Sequence, residues 1–236
     1  MYRVDRNNFY ENEKKATIQT PLYVSEFLFH IISPFIDRQK GRVLDPCVGE
    51  GSLLKPWSGG GYRVVGVDIE DQGFPRTILK NYLEVTRSDI REDVSLVIMN
   101  PPFNIDLKTK KFIQANYGGR PLLPEIWLQK AIELFGVEVP MVMFTPYGFR
   151  LNQTEKSKRW MKFVDKEYPP ITGIVSLPKD VFKNILFHSE VLIFNIPMKN
   201  AHYFVRDLSN GDQRTTTKKQ SAGLPPRKGS RGYHEH

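Results

Sequence analysis

Short aliphatic segments that alternate with amphipathic ones constrain the fold of this chain more than any other feature of its sequence. Six segments of four to seven residues are predicted to be buried strands, at 42–45, 62–67, 95–99, 139–145, 171–177 and 190–196. Helices are predicted from Pro21, with Thr20 as the cap, and over 125–135 and 152–167. Strands that alternate with helices are typical of an α/β fold with a doubly wound, mostly parallel sheet.

The two ends of the chain differ in composition from its middle. Residues 1–16 are polar and are predicted to be a flexible arm, and residues 207–236 are predicted to be a basic, disordered tail. A single folded domain is therefore expected over 17–206, with a last edge strand at 202–205. No stretch approaches the ~18 apolar residues of a membrane helix. The polar N-terminus and the single cysteine, Cys47, favour a cytoplasmic protein without disulfides, and no spacing of residues predicts a metal site.

The net charge of +8 is distributed unevenly along the 236 residues. Residues 199–236 carry a net charge of +5, residues 104–120 carry +3 and residues 147–166 carry +4, so the remainder of the chain is negative by 4. The two internal basic segments follow predicted strands. A surface that binds nucleic acid is one explanation, and solvated surfaces with a solubilising tail are the other.

The loop after the first predicted strand has the composition of a nucleoside-binding turn. Residues 44–52 are LDPCVGEGS, in which Asp45 ends the strand and Gly49 and Gly51 permit close approach to backbone N–H groups. Asp68 ends the next strand, where a carboxylate can accept hydrogen bonds from a ribose diol. Asp45 suits a cationic amino group and no third glycine follows at the dinucleotide spacing, so S-adenosylmethionine fits better than a dinucleotide. A tight turn without a ligand is the alternative.

A second loop, Asn100-Pro101-Pro102-Phe103, follows the strand predicted at 95–99. Its two prolines force a rigid, extended turn and have no N–H, so their carbonyls are available as acceptors. The side-chain oxygen of Asn100 and the Pro101 carbonyl could hold an amino nitrogen towards tetrahedral geometry, with its lone pair aimed at a methyl donor. Phe103 offers a flat face on which an extruded base can stack. A simple turn explains most other Asn-Pro dipeptides.

Five motifs, in this order, resemble those of the amino-group DNA methyltransferases of the N6-adenine type: Thr20-Pro21, LDPCVGEG, GVDIE, Ser88-Asp89-Ile90 and NPPF. The resemblance covers about residues 17–198. It implies a Rossmann-like methyltransferase fold with an antiparallel strand near its C-terminal end, and S-adenosylmethionine as cofactor. It also implies methylation of the N6 amino group of adenine in DNA, by base flipping and direct in-line transfer.

The resemblance assigns roles to individual residues. It implies a cofactor site formed by Thr20, Pro21, Asp45, Cys47, Gly49, Gly51, Asp68, Ile69, Asp89, Ile90 and Asn100. The catalytic loop would be Asn100, Pro101, Pro102 and Phe103. Substrate contacts would come from Phe103, Phe182, Lys108, Lys110 and Lys111, although Phe182 is equally a candidate for the core.

Two departures from the family pattern leave the substrate open. No sizeable target-recognition region follows Pro197, and the basic segment 104–121 is expected to be a long loop, acting as a compact substitute or as a lid. DNA is the expected partner, with selectivity from loops, a specificity subunit or a homodimer. The alternatives are an RNA amino-group methyltransferase acting on ribosomal RNA, and a partner-dependent subunit of a DNA modification complex. Phe103 counts against a glutamine methyltransferase, whose motif resembles NPPY.

Overall fold

Eight strands form one sheet in the computed structural model, which describes residues 19–102, 107–117, 123–151, 158–182 and 189–205. The strands are β1 (Arg42–Asp45), β2 (Val64–Asp68), β3 (Thr77–Leu79), β4 (Val94–Met99), β5 (Met141–Pro146), β6 (Ile171–Ser176), β7 (Ser189–Phe194) and β8 (His202–Phe204). The helices are α1 (Leu22–Ile32), α2 (Lys55–Gly59), α3 (Arg87–Ile90), α4 (Leu107–Tyr117), α5 (Leu123–Phe135), α6 (Gly148–Leu151) and α7 (Lys158–Val164). The predicted arm, 1–16, and the predicted tail, 207–236, lie outside the described residues.

The order of the strands in the sheet is β3-β2-β1-β4-β5-β7-β6-β8. Strand β7 is antiparallel to β5 and β6, whereas every other pairing in the sheet is parallel. This arrangement confirms the predicted doubly wound, mostly parallel sheet and its antiparallel strand near the C-terminal end. Strand β8 lies at the outer edge beside β6, where the sequence predicts the last strand.

Alternate residues of the central strands face opposite sides of the sheet, so two separate cores form. In β4, Leu96 and Ile98 belong to the core that contains the buried side of α1 and Trp57 of α2. Val97 of the same strand belongs to the core that contains the buried side of α5. These side chains are fully buried on both faces of the sheet, which explains why the strands appear in the sequence as continuous aliphatic runs.

Two details at the edges of the fold differ from the sequence-based expectations. Helix α1 begins directly after Pro21, but Thr20 does not cap it, because the hydroxyl of Thr20 is hydrogen-bonded to Asn100 instead. The Pro21 carbonyl accepts the backbone N–H of Val24 at 3.0 Å. Strand β3 was not predicted, since three half-exposed or exposed residues at a sheet edge carry no hydrophobic pattern.

The basic segment that follows Pro102 contains a helix where a loop was expected. Helix α4 buries Ile113 and packs Phe112 and Tyr117 against the core on the α5 side of the sheet. Lys111 is exposed on this helix. The apolar face consists of few residues and is interrupted by polar ones, so the helical period is weak in the sequence. Packing against the second core decides the structure of this segment.

A buried polar network fastens α7 to α5. The Glu125 carboxylate, on a side chain that is 7% exposed, accepts hydrogen bonds at 3.0 Å from Arg159 Nε and from the Tyr168 hydroxyl. Arg159 also donates to the Phe149 carbonyl at 3.0 Å and lies over the Phe149 ring. Burial and the charge of Glu125 raise the pKa of Tyr168, so its hydroxyl stays protonated and remains a donor. The network therefore fixes the segment that follows β5 against the body of the protein.

We expect Arg159→Met to lower the free energy of unfolding by about 3 kcal/mol, because it leaves the Glu125 carboxylate buried without its cation. Arg63→Met is the matched control, since Arg63 is 52% exposed in its ion pair with Glu92. It should cost less than about 1 kcal/mol. Urea denaturation of both variants measures the difference, and equal losses would contradict a specific role for the Glu125 network.

Candidate active site

Three strand ends bring the candidate site together. Strand β1 lies between β2 and β4, and it is parallel to both, so the three carboxyl ends share one edge of the sheet. Two contacts join the loops that leave this edge. The Gly49 N–H donates to Asp68 Oδ2 at 2.8 Å, and the Cys47 thiol donates to the Asn100 carbonyl at 3.2 Å. The loops predicted to bind cofactor and to catalyse are therefore in direct contact.

Gly49 and Gly51 occupy their positions in the first loop for different structural reasons. Both have positive φ, 51° for Gly49 and 80° for Gly51. A Cβ on Gly51 would lie 2.0 Å from the Phe74 ring, so this position is closed by packing. A Cβ on Gly49 would come no closer than 3.6 Å to its nearest neighbour, Gln72 Oε1. Gly49 is therefore not closed by packing as Gly51 is, and its role in the close approach of a ligand stays a prediction.

Asp45 is a buried acid at the end of β1. It is 1% exposed, and its Oδ1 accepts the backbone N–H of Cys47 at 3.0 Å. Burial raises the pKa of Asp45 to about 7, with a smaller contribution from the charge of Asp68. Within the described part of the chain, no Lys or Arg forms an ion pair with Asp45. A cationic ligand would therefore stabilise its ionised form.

Asn100 is held at both its side chain and its backbone. Its Nδ2 donates to Thr20 Oγ1 at 3.2 Å, and its carbonyl accepts the Cys47 thiol hydrogen bond. Burial and the charge of Asp45 raise the pKa of the Cys47 thiol, which keeps it protonated and able to donate. The other end of the amide, Oδ1, is buried and has no hydrogen-bond partner among the residues that the structure describes. Pro101 is buried beside it and Pro102 is half-buried.

Asp89 and Ile90 have structural roles that the sequence analysis did not foresee. Asp89 completes a capping box at the start of α3, where its Oδ2 accepts the Thr86 N–H at 2.7 Å and Lys80 Nζ at 2.8 Å. The Lys80 ammonium group holds the pKa of Asp89 below its usual range. Ile90 is 2% exposed and lies in the core. The spacing Thr86-x-x-Asp89 was the signal for this cap.

Ile69 and Lys80 directly follow β2 and β3 at the same edge of the sheet. The Lys80 N–H donates to the Asp68 carbonyl at 2.8 Å, so Lys80 connects the end of β2 to α3. Ile69 follows Asp68 and is 69% exposed, an apolar surface beside the ribose position that the family resemblance implies. The cofactor roles of Asp68, Ile69, Asp89 and Ile90 stay predictions.

The predicted substrate residues are only partly described. Phe103 lies outside the described residues, as do the side chains of Lys108 and Lys110, whereas Lys111 is exposed on α4. Phe182 is 4% exposed and its ring centre lies 6.1 Å from that of Phe144, in the core on the α1 side. In this conformation Phe182 packs as a core residue, so stacking on a base would require its side chain to move.

Sequence reasoning missed an ion pair at the same edge of the sheet. Since β7 is antiparallel to β5, its first residues lie opposite Thr145 and Pro146, at the carboxyl end of β5. There Glu190, 1% exposed, accepts two hydrogen bonds from Arg150, at 3.1 and 3.0 Å. A glutamate inside an otherwise aliphatic strand was the only signal in the sequence.

The described residues contain neither a metal site nor a membrane-spanning helix. They contain no group of three or more His, Cys, Asp or Glu side chains arranged to hold a metal ion. In the same ranges, no helix combines the length and the apolar character needed to cross a membrane.

Comparison with solved structures places this fold among methyltransferases. A protein from Listeria monocytogenes assigned as a class I S-adenosylmethionine-dependent methyltransferase is 18% identical with a TM-score of 0.57, over 84% of this chain and 70% of that one. A type I restriction-modification methyltransferase subunit from Streptococcus thermophilus is 18% identical with a TM-score of 0.56, over 79% of this chain and 46% of that one. A protein from Vibrio vulnificus YJ016 assigned as a modification subunit of a type I restriction enzyme is 16% identical with a TM-score of 0.58, over 81% and 46%. The chain thus spans less than half the length of these two subunits, and identities this low show the fold alone.

Sequence comparison identifies the family. No curated protein sequence matches the chain. A family model described as N-6 DNA Methylase matches residues 67–223, which is more than half of the chain and includes Asp68 and the Asn100–Phe103 loop. The fold and the predicted motifs agree with this match. The chain therefore belongs to the N-6 DNA methylase family, whose cofactor is S-adenosylmethionine.

Proposed function

We propose that this chain methylates the N6 amino group of adenine in DNA, with the target base flipped out of the helix. Its family makes it a DNA methyltransferase, and the choice of adenine and the mechanism are the proposal. The observation that carries it is the Asn100 amide, next to Pro101, whose Oδ1 is a buried acceptor without a partner in the described part of the chain. A buried acceptor of this kind is costly unless a donor such as an amino group reaches it.

The residues at the sheet edge fit S-adenosylmethionine. Asp45 is a buried carboxyl group without a cationic partner among the described residues, which suits the amino group of the methionine part. Gly49 leaves space beside the loop, and the exposed face of Ile69 suits stacking on the adenine part. When bound, the cofactor would supply a methyl group carried on a positively charged sulfur, whose carbon–sulfur bond would break as the new bond forms and leave a neutral thioether.

Asn100 and Pro101 act on the acceptor nitrogen. An exocyclic amino group is a poor nucleophile because its lone pair is delocalised into the ring. Hydrogen bonds from its two N–H groups to Asn100 Oδ1 and to the Pro101 carbonyl favour a tetrahedral nitrogen, whose lone pair is then free to form the new C–N bond. The nitrogen gains a methyl group and loses one proton, which passes to solvent.

Burial of the acceptor supports base flipping. Asn100 Oδ1 is buried at the sheet edge, whereas the amino group of a paired adenine lies inside the double helix. The two can meet only when the base leaves the stack, and Phe103 would then offer it an aromatic face. We assign the catalytic roles to Asn100, Pro101, Pro102 and Phe103 on this basis.

We propose that a second chain takes part in recognition of the target sequence. Two of the structural neighbours are subunits of type I systems by their description, and this chain covers 46% of each. The proposal is supported by this shared fold and by the description of both neighbours as subunits.

We expect Asn100→Ala to lower kcat for methyl transfer to DNA by about 10²–10³-fold, because it removes an acceptor that acts on the reacting nitrogen. Binding of S-adenosylmethionine, measured by calorimetry, should change by less than about threefold. The assay follows a labelled methyl group into DNA, and nucleoside analysis should find it on N6 of adenine. Asn200→Ala is the control, since Asn200 is exposed and lies after β7, at the opposite edge of the sheet.

Label on cytosine, or label that appears only in RNA, would contradict the proposed substrate. Equal loss of cofactor binding and turnover in Asn100→Ala would show that the loop is structural. If methylation requires an added subunit, the proposed reaction stands and the proposal that a second chain takes part in target recognition is supported.

Cofactor affinity should rise with pH through a proton released by Asp45. The pKa of Asp45 in the free protein is about 7 because of burial, and a bound ammonium group favours the ionised carboxylate. Binding then releases a proton, so the dissociation constant for S-adenosylmethionine should fall about five- to tenfold from pH 6 to pH 7.5. Above this range the amino group of the ligand itself deprotonates. Calorimetry should show weaker, nearly pH-independent binding in Asp45→Asn, and parallel pH profiles would contradict this role.

Helix α4 is the best described candidate for phosphate contacts. Lys111 is exposed there, whereas Arg150 and Arg159 of the basic segment 147–166 are paired with the buried carboxylates of Glu190 and Glu125. We expect Lys111→Gln to reduce the slope of log affinity against log salt by about 0.9. Lys199→Gln, at the opposite edge of the sheet, should leave the slope unchanged. Identical slopes in the two variants would contradict a role of α4 in contacts with the DNA phosphates.

A further inference from the structure

The hydrogen bond between Thr20 and Asn100 joins two segments that lie 80 residues apart in the chain. Thr20 is 5% exposed, so water has little access to its hydroxyl. The bond length is 3.2 Å from Asn100 Nδ2 to Thr20 Oγ1. Within the described ranges it is the hydrogen bond that holds the side chain of Asn100, because the amide oxygen at the other end has no partner there.

The orientation of this amide decides whether it can act on an amino group. With Nδ2 bound to Thr20, Oδ1 is the end that remains to accept a substrate N–H. The Thr20 hydroxyl can donate as well as accept, so it holds the plane of the amide. The substrate selects the orientation with Oδ1 towards it, because an amide NH₂ facing the substrate NH₂ would place two donors together. Small rotations are also costly, since a misplacement of about 1 Å can lower a rate about 10²-fold.

The backbone of Asn100 is fixed by a different contact. The Cys47 thiol donates to its carbonyl, and the Cys47 N–H in turn donates to Asp45. Loss of the Thr20 hydroxyl therefore leaves the anchor of the loop backbone in place and releases only the side-chain amide. The effects of the two anchors can be separated by experiment.

We propose that Thr20 is a positioning residue that orients the Asn100 amide towards the substrate. This role goes beyond the cofactor contact that the family resemblance implies for Thr20. It rests on the proposed function, since the amide needs this orientation only if it accepts a hydrogen bond from a substrate amino group. Thr20, which lies just before α1, then supports the chemical step through Asn100.

Thr20→Val and Thr20→Ser test the proposal, because valine keeps the shape of threonine without its hydroxyl and serine keeps the hydroxyl. We expect Thr20→Val to lower kcat about 10- to 100-fold at saturating cofactor, with a change of less than about threefold in the dissociation constant of S-adenosylmethionine. Thr20→Ser should recover kcat to within about threefold of the unchanged protein. Thr172→Val is the matched control, since this hydroxyl also accepts and donates hydrogen bonds but lies near the start of β6, at the opposite edge of the sheet.

The side-chain amide resonances of Asn100 give a readout that does not depend on methyl transfer. They are identified in an ¹⁵N spectrum by their absence in Asn100→Ala. We expect Thr20→Val to shift them and Thr20→Ser to keep them near their original positions.

The outcomes separate this proposal from the proposed function. Unchanged kcat and unchanged resonances in Thr20→Val would overturn the positioning role, as would a loss confined to cofactor affinity. If the unchanged protein does not methylate adenine, the proposed function fails. In that case the resonances alone decide whether Thr20 orients the amide.

Discussion

The parallel pairing of β1 with both β2 and β4 is the constraint on which the site depends. Because the three strands run in the same direction, Asp45, Asp68 and Asn100 are delivered to one edge although they are far apart in the chain. The loops then lock to each other through Gly49 with Asp68 and Cys47 with Asn100. Two cores, one on each face of the sheet, hold the strands in register and leave the loops to carry the polar groups.

The charges at this edge are arranged in two different ways. Glu190 and Glu125 are buried with arginine partners, so they stabilise the protein only while those partners are present. Asp45 is buried to the same degree but has no such partner within the described ranges, and its raised pKa is the physical sign of that difference. The first two carboxylates stabilise the fold, whereas Asp45 is where we propose that the cation of a ligand binds. The basic segment 147–166 consequently presents less free charge than its composition indicates.

Sequence reasoning was most successful for fully buried strands and for loops with a distinctive composition. The central strands were predicted because they are continuous apolar runs covered on both faces, and the two loops because glycine permits a positive φ and proline fixes φ. The fold and the cofactor followed from these features, and the family from the resemblance of the motifs. Tertiary contacts determined the features that the sequence did not predict. Helix α4 forms because Ile113 and its neighbours pack against the second core, the Thr20 hydroxyl bonds Asn100 instead of capping α1, and Phe182 packs against Phe144. None of these partners is near in sequence, so no local pattern reports them.

The close contacts of two glycines restrict how this region can evolve. A Cβ on Gly51 would meet Phe74 at 2.0 Å, and a Cβ on Gly66 would meet Val48 at 2.6 Å. At Gly66 and Val48, a larger residue at one position is tolerated only after a smaller one appears at the other, whereas Gly51 is also restricted by its φ of 80°. Val48 and Gly51 belong to the loop after β1, whereas Gly66 lies in β2 and Phe74 in the segment after it. We therefore expect residues of these two regions to covary among related chains. Substitutions in the loop after β1 are therefore coupled to substitutions in β2 and in the segment that follows it.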